Sequence, residues 1–240
     1  MLRSVILPAY NESGYIETMI DETIQALSFR TDPFEIIVVD NDSKDDTAAI
    51  VAKLSELDSR IKLIRHPSNM LYAMSCMSGS KAALGDRIFI LDSDGQHPPS
   101  ELWKFDAELD TGFDIVFGWR RKRKESIRRL MLSRILWLLT WYHLRFDLHD
   151  VNCGFRAFNS AYSDALEIKH CVNFVNPELW VRAKLGGFRI GEAATSQEER
   201  KAGQSTHDFS RLRVIFNNVN QYLSSLALEL QTQPRSRNSC

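Results

Sequence analysis

Short apolar runs alternate with stretches of helical periodicity through the first half of the chain. Val5–Leu7 and the β-branched run Ile36–Val39 each predict a strand, and further strands are predicted at residues 61–64, 87–91 and 114–117. Between the runs, apolar residues recur at the spacing of one helix face, first as Ile16, Ile20, Ile24 and Leu27. Strands that alternate with helices predict an α/β fold with a mostly parallel, Rossmann-like sheet flanked by helices.

Polar motifs follow three of these strands, at the end of the sheet where α/β proteins bind ligands. They are residues 9–12 after the first strand, 40–42 after the second and 92–94 after the fourth. In extended backbone, residues i and i+2 point the same way, so Asp92 and Asp94 are expected to face one divalent cation that holds a diphosphate. The alternatives are a polar loop for Asp92 and Asp94, and turn or helix-capping roles for Asp40 and Asp42.

Composition narrows the class of protein. A chain of 240 residues with 44% hydrophobic and 25% charged residues suits one domain with a large core. The net charge of −1 gives no general attraction to nucleic acid. The four cysteines lack zinc spacing and are expected to be reduced thiols, and no apolar stretch reaches the roughly 20 residues of a spanning helix. Because the chain starts directly with a strand, we expect a cytoplasmic protein.

Several common sites are absent from the sequence. It contains no Gly-x-Gly-x-x-Gly and no phosphate loop, which disfavours dehydrogenases and nucleoside triphosphatases. It contains no Gly-x-Ser-x-Gly either, which disfavours α/β hydrolases. A diphosphate would therefore need a metal ion and basic side chains to balance its charge.

Six motifs together carry a resemblance to a known family. Those that resemble glycosyltransferase family two are Pro8-Ala9-Tyr10-Asn11-Glu12, Val38-Val39-Asp40-Asn41-Asp42-Ser43 and Leu91-Asp92-Ser93-Asp94-Gly95. Those that resemble its polyprenyl-phosphate branch, typified by dolichyl-phosphate mannose synthase, are residues 92–99, 150–156 and 199–205. The resemblance covers roughly residues 4–206, so it implies one glycosyltransferase A type domain over most of the chain.

The resemblance also implies a division of labour along the chain. Residues 1–230 form the single domain, with a nucleotide-sugar and metal half at 1–119 and an acceptor half at 120–206. A C-terminal helix at 207–230 follows, and the tail at 231–240 is expected to be disordered.

The same resemblance implies site residues. Base and ribose would lie among Pro8, Tyr10, Glu12, Asp40 and Asp42, although Tyr10 also fits an ordinary half-buried aromatic and Glu12 an early-helix acid. Mg²⁺ or Mn²⁺ would be held by Asp92, Asp94 and Gln96. The acceptor phosphate would be oriented by Arg120, Arg129, Ser133 and Arg200, with Asp94, Arg120 and Arg200 as the catalytic residues. Arg129 and Ser133 share a helix face and so are able to address one anion, while most of the basic run at 120–124 is expected to be solvated.

Residues 130–146 are rich in Leu, Trp and Tyr and are flanked by arginines, as in a helix that lies in a membrane interface. The alternatives are a buried helix or a dimer face. Apolar positions between residues 214 and 226 predict an amphipathic C-terminal helix that packs on the core, docks on the bilayer or contacts a membrane-protein partner. These features predict a peripheral protein on the cytoplasmic face of a membrane.

The predicted reaction is metal-dependent, inverting transfer of a sugar from a nucleotide sugar, of GDP-mannose or UDP-glucose type, to a polyprenyl phosphate. A first alternative is a sugar hydroxyl acceptor, which needs a base such as Glu178 or Asp150. A second is a non-catalytic nucleotide-binding subunit of a membrane complex. Nucleic acid is not expected as a partner, because only the basic run favours it.

Three positions depart from the family pattern. Leu71 stands near the position where the resemblance leads us to expect glycine, and Trp119 where a small residue is usual. Glu192-Ala193-Ala194 replaces an expected Glu-Val-Pro. Leu71 is therefore expected to reshape the donor site, and Trp119 leaves the sugar preference open.

Overall fold

A computed structural model describes most of the chain. The described residues are 1–121, 127–164, 168–169, 174–198 and 212–232, and of 127–129 and 212–217 only the backbone is described.

Seven strands lie in the described residues and form one sheet. They are β1 (Arg3–Ala9), β2 (Phe34–Asp40), β3 (Ile61–Arg65), β4 (Arg87–Ile90), β5 (Ile115–Arg120), β6 (Arg156–Asn159) and β7 (Ile190–Thr195). Their order across the sheet is β3-β2-β1-β4-β6-β5-β7. All neighbouring pairs are parallel except those that involve β6, which runs antiparallel to both β4 and β5. The predicted mostly parallel sheet is therefore confirmed.

Helices flank the sheet. In the described part of the chain they are α1 (Ile16–Ser28), α2 (Thr47–Leu57), α3 (Leu71–Ala82), α4 (Leu102–Asp110), α5 (Ile127–Leu144), α6 (Asn176–Gly186) and α7 (Leu212–Thr232). The spacing of apolar and small residues predicted α1, α2, α3 and α7, and the composition of residues 130–146 predicted α5, whereas α4, α6 and β6 were not anticipated. The last two residues of α7 fall in the segment that was expected to be disordered, and residues 233–240 lie outside the described residues.

The core lies on both faces of the sheet, which explains the continuous apolar runs of its central strands. Alternate residues of one strand point to opposite faces, so Ile37 packs on one side and Val38 on the other. The first side is covered by residues of α3, α5, α6 and α7, and the second by residues of α1, α2 and α4. Both faces exclude water, so the exposed features of the sheet are the loops at its ends.

Helix α5 has two different faces. Its inner face buries Thr140 and Leu144, and its C-terminal half packs against α7, which buries Leu223 and Leu226. The outer face of α5 exposes large apolar side chains, namely Met131, Ile135, Leu138, Trp141 and Tyr142. Among the residues that the structure describes, no helix combines the length and the hydropathy needed to cross a bilayer.

Candidate active site

The loops that follow β1 and β2 are joined by hydrogen bonds at the carboxyl edge of the sheet. The Asn11 N–H donates to Ser43 Oγ at 2.9 Å, and the Lys44 N–H donates to Asn11 Oδ1 at 2.7 Å. Asn11 and Asp42 both have left-handed backbone, with φ of 56° and 66°, a conformation that Asn and Asp adopt more readily than most residues. These two polar motifs therefore form one structure rather than two separate loops.

Asp45 fixes the start of α2 in this structure. Its carboxylate accepts hydrogen bonds from the N–H groups of Ser13, at 3.0 Å, and Thr47, at 3.1 Å. Burial acts to raise the pKa of Asp45, but the hydrogen bonds from Thr47 and Ser13 outweigh it and lower that pKa to about 2. Asp45 thus makes a turn contact with the first residue of α2, while Asp46, the N-cap residue, forms no side-chain capping hydrogen bond.

Asp40 ends β2 and is fully buried. Its Oδ1 accepts the Ser43 N–H at 3.3 Å, which is the turn role. Its Oδ2 has no hydrogen-bond partner among the described residues, and the Arg65 Nε lies 3.7 Å away. A buried carboxylate oxygen with spare accepting capacity suits a ligand hydroxyl.

An amide network shapes the loop between β3 and α3. The Oδ1 of Asn41 accepts the Met70 N–H at 2.9 Å and lies 2.9 Å from His66 Nδ1. The Asn41 Nδ2 donates to Asn69 Oδ1 at 3.1 Å, and the same oxygen accepts the Leu71 N–H at 3.1 Å. Burial lowers the pKa of His66, although the charge of Asp40 opposes this shift.

Leu71 has a φ of 68°, in the left-handed region that favours glycine. The family pattern led us to expect glycine near this position. Leucine pays about 1 kcal/mol or more in such backbone, because its Cβ approaches the following carbonyl oxygen. Leu71, which departs from the family pattern, is therefore a strained residue at the rim of the site, and 38% of it is exposed.

The motif that contains Asp92 and Asp94 lies in a turn. Strand β4 ends at Ile90 and residues 93 and 94 form a turn, so the prediction that Asp92 and Asp94 lie in extended backbone was wrong. The Ser93 hydroxyl donates to Pro8 O at 2.7 Å, and the Gln96 N–H donates to Asp94 Oδ1 at 3.0 Å. These bonds close the turn and join it to the end of β1.

Asp92 is constrained on both carboxylate oxygens. The Tyr72 hydroxyl donates to Oδ1 at 2.6 Å. A Cβ on Gly154 would lie 1.8 Å from Oδ2, so only glycine allows this close approach. The motif at residues 150–156 is thereby placed directly against Asp92.

The donor set of this turn fits a divalent ion held together with a diphosphate. No group of three or more His, Cys, Asp or Glu side chains within the described residues is placed to hold a metal ion without a ligand's help. Mg²⁺ commonly takes only one or two protein carboxylates and completes its shell with substrate phosphates and water. Asp92 and Asp94, with Gln96 partly exposed beside them, provide that kind of partial shell.

Arg120, at the end of β5, is paired with Asp150. The Arg120 Nε donates to Asp150 Oδ2 at 2.7 Å and its Nη2 donates to Oδ1 at 3.0 Å, a bidentate geometry. Asp150 also accepts the Asn152 N–H at 3.0 Å. The pair therefore fixes the loop that leads to Gly154.

Next to this pair, Trp119 stacks on His149 with ring centroids 5.2 Å apart, and His149 Nδ1 lies 2.8 Å from a Glu192 oxygen. Trp119, at a position where the family usually has a small residue, thus packs its indole ring on the loop before Asp150. Glu192 lies in β7, where the sequence departed from the expected Glu-Val-Pro.

His97 joins three parts of the site. Its Nδ1 lies 3.2 Å from Ser196 O, and its Nε2 lies 3.8 Å from Cys153 Sγ. Burial lowers the pKa of His97, so the imidazole is neutral near pH 7. The Glu198 N–H donates to Gln96 O at 2.9 Å, so the chain beyond β7 runs along the same turn.

The structure brings most of the predicted site residues to one edge of the sheet. Those at the carboxyl ends of the neighbouring strands β2, β1 and β4 are Pro8, Tyr10, Glu12, Asp40, Asp42, Asp92, Asp94 and Gln96. Arg120 lies at the end of β5, beyond β6. Ser133 is half-buried and shares the inner face of α5 with Thr140 and Leu144. Arg200 lies outside the described residues, as does the side chain of Arg129.

Sequence reasoning missed the supporting residues. Tyr72 lies within an apolar helical pattern and gives no signal of contact with a carboxylate. Gly154 and Arg156 belong to the motif at residues 150–156, but the sequence assigned them no role. The positions of Asn41 and His97 depend on loops that only the fold brings together.

Comparison with known proteins places the chain in a family. The profile of "Glycosyl transferase family 2" matches residues 4–166. Curated relatives include the undecaprenyl-phosphate 4-deoxy-4-formamido-L-arabinose transferases of Salmonella choleraesuis strain SC-B67 and Salmonella newport strain SL254. Each is 31% identical over 228 residues, which span 95% of this chain and 69% of the relative.

Solved structures show the same fold. Glucosyl-3-phosphoglycerate synthase from Mycobacterium tuberculosis, in complex with Mn²⁺, UDP and phosphoglyceric acid, superposes with a TM-score of 0.68 at 20% identity and covers 98% of this chain and 80% of that one. Its complex with UDP alone gives a TM-score of 0.69 at 22% identity, with 94% and 80% covered. The predicted glycosyltransferase A type fold is confirmed. The chain is a glycosyltransferase and belongs to glycosyl transferase family 2.

Proposed function

We propose that the enzyme transfers a sugar from a nucleotide sugar to a polyprenyl phosphate, with a divalent metal and inversion at the anomeric carbon. The observation that carries the proposal is the Asp92–Asp94 turn, which is hydrogen-bonded to the end of β1, together with the buried Asp40 at the end of β2 on the other side of β1. The relatives named as undecaprenyl-phosphate sugar transferases support the acceptor class. Structures of a fold relative with Mn²⁺ and UDP support the donor class.

The donor would bind along the ends of β1 and β2. Asp40 offers a buried carboxylate oxygen toward a ribose hydroxyl, and Asp42, half-exposed, lies at the same edge. Pro8 and Glu12 would line the nucleoside, and Tyr10, half-buried, presents a ring on which a base stacks. We expect a donor of GDP-mannose or UDP-glucose type.

Asp92, Asp94 and Gln96 would hold Mg²⁺ or Mn²⁺ at the diphosphate. When bound, such an ion supplies positive charge for the departing nucleoside diphosphate. The protein's part is to hold the carboxylates before the donor arrives, which the Ser93, Gln96 and Tyr72 hydrogen bonds do.

The state of the candidate bases favours a phosphate acceptor. A sugar hydroxyl needs a general base, and Glu178 and Asp150 were the candidates. Glu178 is fully buried and paired with Arg182 at 3.0 Å, and Asp150 is paired with Arg120. A phosphate monoester is already anionic at neutral pH, so its oxygen attacks the anomeric carbon directly while the nucleoside diphosphate leaves from the opposite face.

Arg120, Arg129, Ser133 and Arg200 would orient that acceptor phosphate. Arg120 closes β5 beside the Gly154 loop, and Ser133 follows Arg129 by one helical turn. These roles are implied by the resemblance to the family, and Arg129→Ala is the substitution that tests the acceptor side.

The outer face of α5 would dock on a membrane surface. Its exposed Leu138, Trp141 and Tyr142 are accompanied by Arg145, whose guanidinium lies 4.6 Å from the Trp141 ring centroid. Apolar and aromatic side chains with flanking arginines suit the interface of an anionic bilayer, which also brings the enzyme to its lipid. A membrane-protein partner or a second copy of the chain would cover the same face.

The test is transfer of labelled sugar from a panel of nucleotide sugars to undecaprenyl phosphate, with Mn²⁺ or Mg²⁺. We expect a chloroform-soluble, acid-labile product that disappears with EDTA. Donor binding without a lipid product, on either undecaprenyl or dolichyl phosphate, would contradict the acceptor and favour a hydroxyl acceptor or a missing partner.

A further inference from the structure

Tyr72 lies in the first turn of α3. Its hydroxyl bridges the buried Arg156 and Asp92, the first carboxylate of the turn that is proposed to hold the metal. We infer that Tyr72 is a positioning residue that holds Asp92 in the orientation in which a divalent cation binds it. The inference rests on the proposed function, because it takes Asp92 to be part of the metal site.

The first support is the position of Arg156. This side chain is 1% exposed and forms no direct ion pair within the described residues. Its Nη1 donates to Asn176 Oδ1 at 2.8 Å, and its Nη2 donates to the Tyr72 hydroxyl at 2.5 Å. A buried guanidinium without a touching carboxylate is costly unless a nearby negative charge balances it, and Asp92 lies one hydroxyl away.

The direction of the bridging hydrogen bonds follows from proton counting. A phenol has one proton to donate, and arginine only donates. Because Arg156 donates to the Tyr72 oxygen, the Tyr72 proton points at Asp92 Oδ1, 2.6 Å away.

The second carboxylate oxygen is held by sterics rather than by a hydrogen bond. Asp92 Oδ2 packs on the Cα of Gly154, where a Cβ would come within 1.8 Å. The Gly154 loop is in turn fixed by the Asn176 amide, which donates to Cys153 O at 2.8 Å. Arg156 and Asn176 therefore support both sides of the same carboxylate.

Loss of such a supporting hydrogen bond typically weakens metal binding about 10- to 100-fold, because the ligand no longer starts in its binding orientation. Tyr72→Phe removes only the hydroxyl and keeps the ring. Tyr15→Phe is the matched control, because the Tyr15 hydroxyl also donates to a carboxylate, Glu22 at 2.8 Å, in α1.

The experiment is titration of the full chain with Mn²⁺, alone and with UDP or GDP at a fixed concentration, and bound Mn²⁺ is measured by electron paramagnetic resonance against the same nucleotide without protein. We expect the Kd to rise at least tenfold in Tyr72→Phe and to stay within twofold of wild type in Tyr15→Phe. In the transfer assay, excess Mn²⁺ should restore Tyr72→Phe, and its KM for the lipid should be unchanged.

Gly154→Ala tests the same carboxylate from its other side and keeps the inference testable if Tyr72→Phe does not fold. Circular dichroism checks folding at the titration temperature, and weaker Mn²⁺ binding is expected for any folded form. Equal Kd values for wild type and a folded Tyr72→Phe or Gly154→Ala protein overturn the inference while leaving the proposed function intact. A wild type that binds no Mn²⁺ either alone or with UDP or GDP contradicts the metal site itself, and the inference falls with it.

Discussion

The carboxyl edge of β1, β2 and β4 and the outer face of α5 are organised in opposite ways. At the sheet edge, polar side chains are hydrogen-bonded to one another, and Asp40 and Asn41 are buried. On α5, apolar side chains face outward, with Tyr142 70% exposed and Met131 62% exposed.

The difference shows what each region recognises. A prearranged polar site suits a small, charged ligand, because fixed dipoles need no reorganisation when it binds. An exposed apolar face gains free energy only when something removes it from water, which is why a membrane surface, rather than a small molecule, is proposed for it.

The largest expected effect is at the sheet edge. Asp94→Asn removes a carboxylate charge from the metal turn, so sugar transfer with Mn²⁺ should fall by about 10²–10³-fold or more. Asp21→Asn, on the exposed side of α1, is the control and should keep wild-type activity. Transfer by Asp94→Asn at the wild-type rate would remove Asp94 from the metal site.

Arg129→Ala tests the acceptor side. Loss of a charged hydrogen bond to phosphate costs roughly 1.5–3 kcal/mol, so the KM for undecaprenyl phosphate should rise about 10- to 100-fold. The KM for the nucleotide sugar should change less than twofold. Arg134→Ala, on the outer face of the same helix, is the control in detergent micelles, and a donor effect as large as the lipid effect would count against the assigned role.

Leu138→Ser tests the outer face of α5. Replacing a side chain that is 49% exposed on that face should weaken binding to phosphatidylglycerol vesicles about tenfold in a flotation assay, because apolar area no longer enters the bilayer. Leu57→Ser, equally apolar but at the end of α2, should bind as wild type does. If Leu138→Ser instead changes the sedimentation coefficient without vesicles, the face is a contact between two copies.

The smallest expected effect concerns Leu71. Leu71→Gly relieves left-handed backbone but increases the entropy of the unfolded chain, so the net stabilisation should be about 0.5 kcal/mol. Calorimetry should show a melting temperature about 1–2 °C higher. Leu84→Gly, at a residue whose φ is not positive, is the control and should lower the melting temperature. A lower melting temperature for Leu71→Gly would mean that the contacts of the leucine side chain outweigh the backbone strain.

Strands β1, β2 and β4 were predictable because each is an apolar run buried on both faces. Strand β6 was not, because its only apolar residues are Ala157 and Phe158, and the burial of Arg156 makes sense only once Tyr72 and Asn176 are beside it. Two elements from distant parts of the sequence supply those partners, which no local pattern reveals.

The site was predictable in its location but not in its geometry. Three polar motifs after three strands had to meet at one edge of a parallel sheet, and they do. The turn at Asp92–Asp94 depended on a hydrogen bond to Pro8 O, a contact between separate strands that the spacing of the carboxylates does not encode. The expected glycine near Leu71 did identify a backbone requirement, since that residue has positive φ.

The antiparallel insertion of β6 has a consequence for engineering the protein. Residues 156–159 pair with β4 on one side and β5 on the other, so a strand from late in the sequence completes the middle of the sheet. A fragment cut after residue 119 would retain the nucleotide-side motifs, yet it would leave β4 with an open edge and no neighbour to join it to β5. Such a fragment is expected to aggregate through that edge, and a minimal soluble donor-binding version of this enzyme must keep β6.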